Sequence, residues 1–81
     1  MTRDAAVDLI ARCLRNIAPE VELDQVEPSE PLADELDLDS MDLLNFHGRL
    51  ADSLGIAIPD SAAPKLATLE GLLAWLAAHV P

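Results

Sequence analysis

The apolar side chains of this chain come almost entirely from Leu, Ala, Ile and Val, and Phe46 and Trp75 are the only aromatic residues among 81. Strands draw on aromatic and β-branched residues, whereas Leu and Ala are strong helix formers, so the composition predicts an all-α fold. Length sets the second constraint. A chain of this size supports one core and buries a modest share of its surface, so residues 1–81 are read as a single domain. Cys13 has no partner cysteine, which excludes an intramolecular disulfide framework. Without such a staple the core must be tidy, and a small helical bundle achieves that most readily.

Apolar spacing divides the chain into helices. Val7, Ile10, Cys13, Leu14 and Ile17 recur at helical intervals and predict a first helix over about residues 3–17. Thr2 is its expected cap, Asp4 lies in its first turn, and Pro19 ends it. A long connection through residue 38 follows, with Pro19, Pro28 and Pro31 among scattered apolar residues that are expected to close one end of the core. The second helix is predicted from Asp39 or Ser40 to Leu54, with Leu43, Phe46, His47, Leu50 and Leu54 facing inward. Met41, Leu44, Asn45 and Gly48 fall on its more exposed face. Asp39 and Asp42 have the spacing of a capping box, and Gly55 that of a left-handed terminus. A short helical turn after Pro59, stopped near Pro64, precedes a last helix opening at Thr68. Its inward stripe is Leu69, Leu72, Leu73, Leu76 and Val80, with Trp75 at the edge. The expected architecture is a four-helix bundle, three helices long and one short, with a long first loop.

Charge is unevenly placed. The formal net charge is −10, and no Lys or Arg occurs from Asn16 to Gly48, a window holding ten of the 15 acidic residues. Such a field repels nucleic acid and anionic membranes and steers basic protein surfaces toward one end of the molecule. No apolar run approaches the roughly 18 residues of a membrane span and no signal-peptide pattern opens the chain, so a cytoplasmic monomer is expected. A metal site is not expected. An EF-hand loop begun at Asp37 would need an oxygen ligand, Gly and Glu where the chain has Met41, Asp42 and Gly48.

Ser40 stands at the start of the second helix between Asp39 and Asp42. Taken alone, this is what a helix start often looks like. Neither His47 nor His79 is placed by a motif to activate its hydroxyl, no nucleophile elbow surrounds it, and no catalytic residue is assigned. In its wider frame, the run Leu36-Asp37-Leu38-Asp39-Ser40-Met41-Asp42 resembles the Leu-Gly-Leu-Asp-Ser-Leu-Asp pattern of acyl carrier proteins. The likeness continues through Leu50, Leu54-Gly55-Ile56-Ala57-Ile58-Pro59 and Ala67-Thr68-Leu69, and so covers nearly the whole chain.

That resemblance implies that Ser40 carries 4′-phosphopantetheine, transferred from coenzyme A by a phosphopantetheinyl transferase with Mg²⁺. It also implies that the arm holds acyl groups as thioesters for partner enzymes of a fatty-acid, polyketide or other specialised pathway. Asp37, Asp39, Met41, Asp42, Leu44 and Asn45 are then the expected recognition surface for the transferase and for acyl-loading and acyl-processing enzymes with basic patches. The chain departs from fatty-acid synthase carriers at Asn45, where a Glu is usual, at His47, Gly48 and Arg49, and at Asp37, where the family has Gly. Peptidyl carriers show Gly-Gly-x-Ser where this chain has Asp37-Leu38-Asp39-Ser40. An aminoacyl or peptidyl carrier stays open as an alternative, as does an unmodified acidic interaction module. His47 is expected to be a half-buried, hydrogen-bonded histidine and Cys13 a small core residue. Gly48 costs about 1 kcal/mol against Ala in a helix interior and either opens a notch or permits close packing.

Overall fold

The computed structural model describes residues 1–80. Three long helices form the body: α1 (Arg3–Arg15), α3 (Ser40–Leu54) and α4 (Leu69–His79). A four-residue α2 (Leu32–Glu35) and two 3₁₀ segments, Leu23–Gln25 and Asp60–Leu66, lie in the connections, and there are no strands among the described residues. This is the expected all-α bundle. α1 packs on both α3 and α4, and the 60–66 segment packs on α4.

Local chemistry sets the helix ends. The Thr2 hydroxyl accepts from the Ala5 N–H, and α1 stops at Arg15, two residues earlier than its apolar pattern predicts. The Ile17 and Ala18 N–H groups both turn back to the Leu14 carbonyl, which tightens the last turn ahead of Pro19. α3 begins with the complete capping box: Asp39 Oδ1 accepts from the Asp42 N–H at 2.8 Å and Asp42 Oδ2 accepts from the Asp39 N–H at 3.3 Å. It ends at Gly55 with φ of 69°, a left-handed conformation that glycine adopts without a Cβ penalty.

The core contains Leu9, Ile10, Cys13 and Leu14 of α1, Phe46 and Leu50 of α3, and Leu69, Leu72, Trp75 and Leu76 of α4. Cys13 is buried as expected, with Sγ 3.9 Å from Ser53 Oγ. Trp75 corrects the sequence reading. It is 7% exposed rather than at an edge, and its ring stacks on His79 at 4.4 Å. The inward stripe of α4 is rotated toward Trp75 and leaves Leu73 and Val80 half-buried. Pro64 is a second correction. It lies inside the 60–66 segment instead of stopping it, because its fixed φ suits 3₁₀ geometry.

The long connection is tied down along its length. Leu23, Val26 and Leu32 are buried against the core. The Leu32 N–H donates to the Ala67 carbonyl at 2.8 Å, and the Glu70 N–H donates to the Pro28 carbonyl at 3.1 Å. α2 was hidden within this connection, since four residues are too few to show a helical period. Its C-terminal Leu38 N–H returns to the Ala33 carbonyl, and Asp37 between them has φ of 54°. The chain therefore enters α3 through a Schellman-type turn with an aspartate at the left-handed position.

Two glycines within helices, Gly48 in the body of α3 and Gly71 in the first turn of α4, play opposite parts. A Cβ on Gly71 would overlap the Lys65 carbonyl oxygen, whereas one on Gly48 would meet nothing within 4 Å. Gly71→Ala is expected to destabilise the protein by about 1–3 kcal/mol despite the better helix propensity, through overlap with backbone. Gly48→Ala should add about 1 kcal/mol. Urea unfolding of both variants beside the parent checks the opposite signs.

Candidate functional site

Ser40 is the first residue of α3 and is exposed. Asp39 is the cap, so the Ser40 side chain is not the group that closes the helix start. It stands at the positive end of a 15-residue helix, where the unpaired N–H groups of the first turn favour an anion. Asp39 and Asp42 oppose that field, although each carboxylate already accepts the other's backbone N–H.

The expected recognition residues surround this position. Met41 and Leu44 are 64% and 66% exposed, the most exposed of the large hydrophobic side chains among the described residues. Asn45 is exposed beside them, Asp37 and Asp39 are exposed on the approach to the helix, and Asp42 is half-buried within the capping box. Exposed Met and Leu on a helix rimmed by carboxylates give this face an apolar centre with acidic edges. Phe46 and Leu50 turn the opposite side of α3 into the core.

Farther along α3, Leu44, His47, Gly48 and Ala51 face Ile58 and Asp60 across a groove of about 200 Å³. Gly48 thus opens a notch, which resolves the two readings its sequence allowed. His47 is half-buried as expected, but its Nε2 is buried with no hydrogen-bond partner, contrary to the expectation of a satisfied histidine. Desolvation holds its pKa below the ordinary 6.5, so the ring is neutral at physiological pH. Sequence reasoning offered the notch at Gly48 as one of two readings but missed the rest of the groove. Its available signal was the spacing of Leu44, His47, Gly48 and Ala51 from Ser40, together with a glycine in a helix interior.

Among the described residues, no group of three or more His, Cys, Asp or Glu side chains could hold a metal ion, and no helix is long and apolar enough to cross a membrane. A small helical bundle with an exposed helix-start serine and an acidic, partly apolar face is built to be handled by other proteins. Comparison with known families gives this class its chemistry. A family model described as a phosphopantetheine attachment site matches residues 8–76. An acyl carrier protein of Lactobacillus acidophilus is 33% identical over 60 residues, covering 74% of this chain and 75% of the relative. Acyl carrier proteins of Rubrobacter xylanophilus and Helicobacter hepaticus are 30% and 29% identical over 59 residues, with 73% of this chain covered in each case and 73% and 78% of the relatives.

The chain belongs to the acyl carrier protein family, whose members are carriers rather than enzymes, and this membership implies a covalently attached 4′-phosphopantetheine. The structure has room for such a group at an exposed serine on a helix N-terminus. When bound, the group supplies a terminal thiol that holds acyl cargo as a thioester.

Two measurements test the electrostatics and backbone of this region. Because the folded pKa of His47 lies below its unfolded value, the unfolded chain binds more protons between the two. Its contribution is fully favourable above about pH 6.5 and is lost as pH falls toward the folded pKa. Relative to His47→Leu, the parent should therefore lose stability between about pH 8 and about pH 5.5, as read by urea unfolding of both. At Asp37, the left-handed backbone predicts that Asp37→Val costs about 1–2 kcal/mol, while Asp37→Gly is neutral or stabilising.

Proposed function

We infer that Ser40 is the residue that bears the phosphopantetheine arm. The observation that carries this reading is the division of labour at the start of α3, where Asp39 caps the helix and leaves an exposed serine beside it. The other serines are less suited. Ser29 donates its hydroxyl to Glu27 and Ser53 sits against Cys13. Ser61 lies inside the 3₁₀ segment rather than at the start of a long helix.

On this reading, residues 1–81 form one cytoplasmic carrier domain that serves as substrate for a phosphopantetheinyl transferase. Asp37, Asp39, Met41, Asp42, Leu44 and Asn45 recognise that transferase and the enzymes that load and process the cargo. The carrier itself performs no chemistry. It raises the effective concentration of a tethered substrate at each partner, and its −10 charge accelerates encounter with basic surfaces. Its pathway is specialised, since Asn45, His47, Gly48 and Arg49 make the later turns of α3 less acidic than in fatty-acid synthase carriers.

Intact mass, measured before and after incubation with coenzyme A, Mg²⁺ and a broad-specificity phosphopantetheinyl transferase, tests the assignment. The parent should gain one phosphopantetheine and Ser40→Ala none. A folded, initially unmodified parent that gains nothing, or an alanine variant that gains as much, would remove Ser40 from this role. With an acidic-surface-dependent partner, Met41→Ala should slow loading several-fold at unchanged unfolding midpoint, because Met41 is exposed. Added salt should slow loading of the parent by screening.

A further inference from the structure

α1 turns one side to the rest of the bundle and leaves a flank open. Cys13 marks its contact with α3, its Sγ standing 3.9 Å from Ser53 Oγ. At about 100° per residue, Ala11 lies roughly 200° round the helix from Cys13 and so faces away from α3. On that flank the first connection doubles back beside α1, and the two enclose a groove of about 590 Å³. Its floor is apolar: Val7, Ala11 and Val21 are half-buried, and Leu23 is buried. None of the residues lining it belongs to the face around Ser40.

The banks of the groove carry mostly one sign of charge. Asp4 and Asp8 stand on the α1 bank and Glu22 and Asp24 on the opposite one, all exposed, with Arg15 as the single cation. Asp8 is paired with Arg12 at 3.2 Å, whereas Asp4, Glu22 and Asp24 have no basic side chain within ion-pair reach among the described residues. Nor do these carboxylates converge, since no three acidic side chains among the described residues are grouped to hold a metal ion. They are strung along the groove instead. From Asp4 to Arg15 the helix runs roughly 16 Å, the length of about five extended residues. An occupant that answers both features is elongated, with an apolar side chain against the floor and cations toward the banks.

We propose that this groove is a second docking surface, for a segment of a partner protein in which apolar side chains are flanked by Lys or Arg. Charge complementarity selects that occupant, because three unpaired carboxylates border an apolar floor. A partner seated here leaves the Met41 and Leu44 face available. It would hold the carrier at high effective concentration while other proteins take turns at α3. Only that benefit rests on Ser40 as the attachment residue; the docking itself stands without it.

Titration of the ¹⁵N-labelled chain with the capped peptide Lys-Lys-Leu-Leu-Lys-Lys provides the test, with amide dispersion reporting that each variant is folded. The peptide should shift the Val7, Ala11, Val21 and Leu23 amide resonances along one saturating curve. Ala11→Lys, which brings a positive charge to the floor, should weaken binding about tenfold, and Glu22→Gln with Asp24→Asn several-fold. Glu30→Gln with Asp52→Asn removes the same charge at exposed positions outside the groove and should leave the midpoint within about twofold. The same peptide with Ser in place of Leu, and spermidine, keep positive charge without the apolar part and should bind far more weakly. Equal binding of spermidine would overturn a protein segment as the occupant in favour of a polyamine, and equal binding of the Ser peptide would remove the apolar floor from the recognition. Shifts confined to Met41, Leu44 and their neighbours, equal weakening by both charge-removing pairs, or no saturable shift of the groove amides would overturn the groove as a docking surface.

Discussion

The start of α4 holds the molecule together. Its free N–H groups are satisfied from two directions, Gly71 by the Thr68 hydroxyl and Glu70 by the Pro28 carbonyl, while the Leu32 N–H reaches the Ala67 carbonyl just outside the helix. The Lys65 carbonyl approaches so closely that only glycine fits at position 71. The distant 28–32 stretch and the adjoining 60–66 segment therefore meet α4 at one helix end. A connection with three prolines would otherwise have little to fix its path, and α2 would be too short to persist on propensity alone. Through α2 and the left-handed Asp37, that junction sets the direction from which the chain enters α3.

The acidic window serves two purposes at different ranges. Asp39 and Asp42 act locally, each meeting a backbone N–H that the helix start leaves free. Glu35 does similar local work by accepting the Glu27 N–H at 2.7 Å. The remaining carboxylates have no basic side chain near them in sequence and contribute mainly to the external field. Close to Ser40, the helix dipole offsets part of this negative potential, and farther away the full charge dominates. The field at that end of the molecule thus favours positive charge at long range, while the helix start itself remains compatible with a bound anion.

Much of this architecture was legible because the helix ends carry explicit chemical signals. Thr2, the Asp39 and Asp42 pair, Gly55 and Thr68 act where their residue types predict. The exposure of Met41 and Leu44 followed from the phase of α3, which Phe46 and Leu50 define clearly. Trp75 was misplaced because Leu and Ala fill α4 on nearly every side, so the inward direction is set by what packs against it. Gly71 and His47 were opaque for a related reason. The space around each depends on neighbours brought in by the 58–66 region, and no periodicity within the helices encodes it.

The burial of Cys13 has a consequence for redox behaviour. Its sulfur is enclosed in the core, and the chain has no other cysteine. Once the arm is attached, its terminal thiol becomes the one sulfhydryl presented to solvent by the described residues and their modification. Mixed disulfides, alkylation and peroxide damage would then fall first on a replaceable prosthetic group, while the polypeptide is spared. A mixed disulfide on the arm would silence the carrier without unfolding it, and reduction would return it to service.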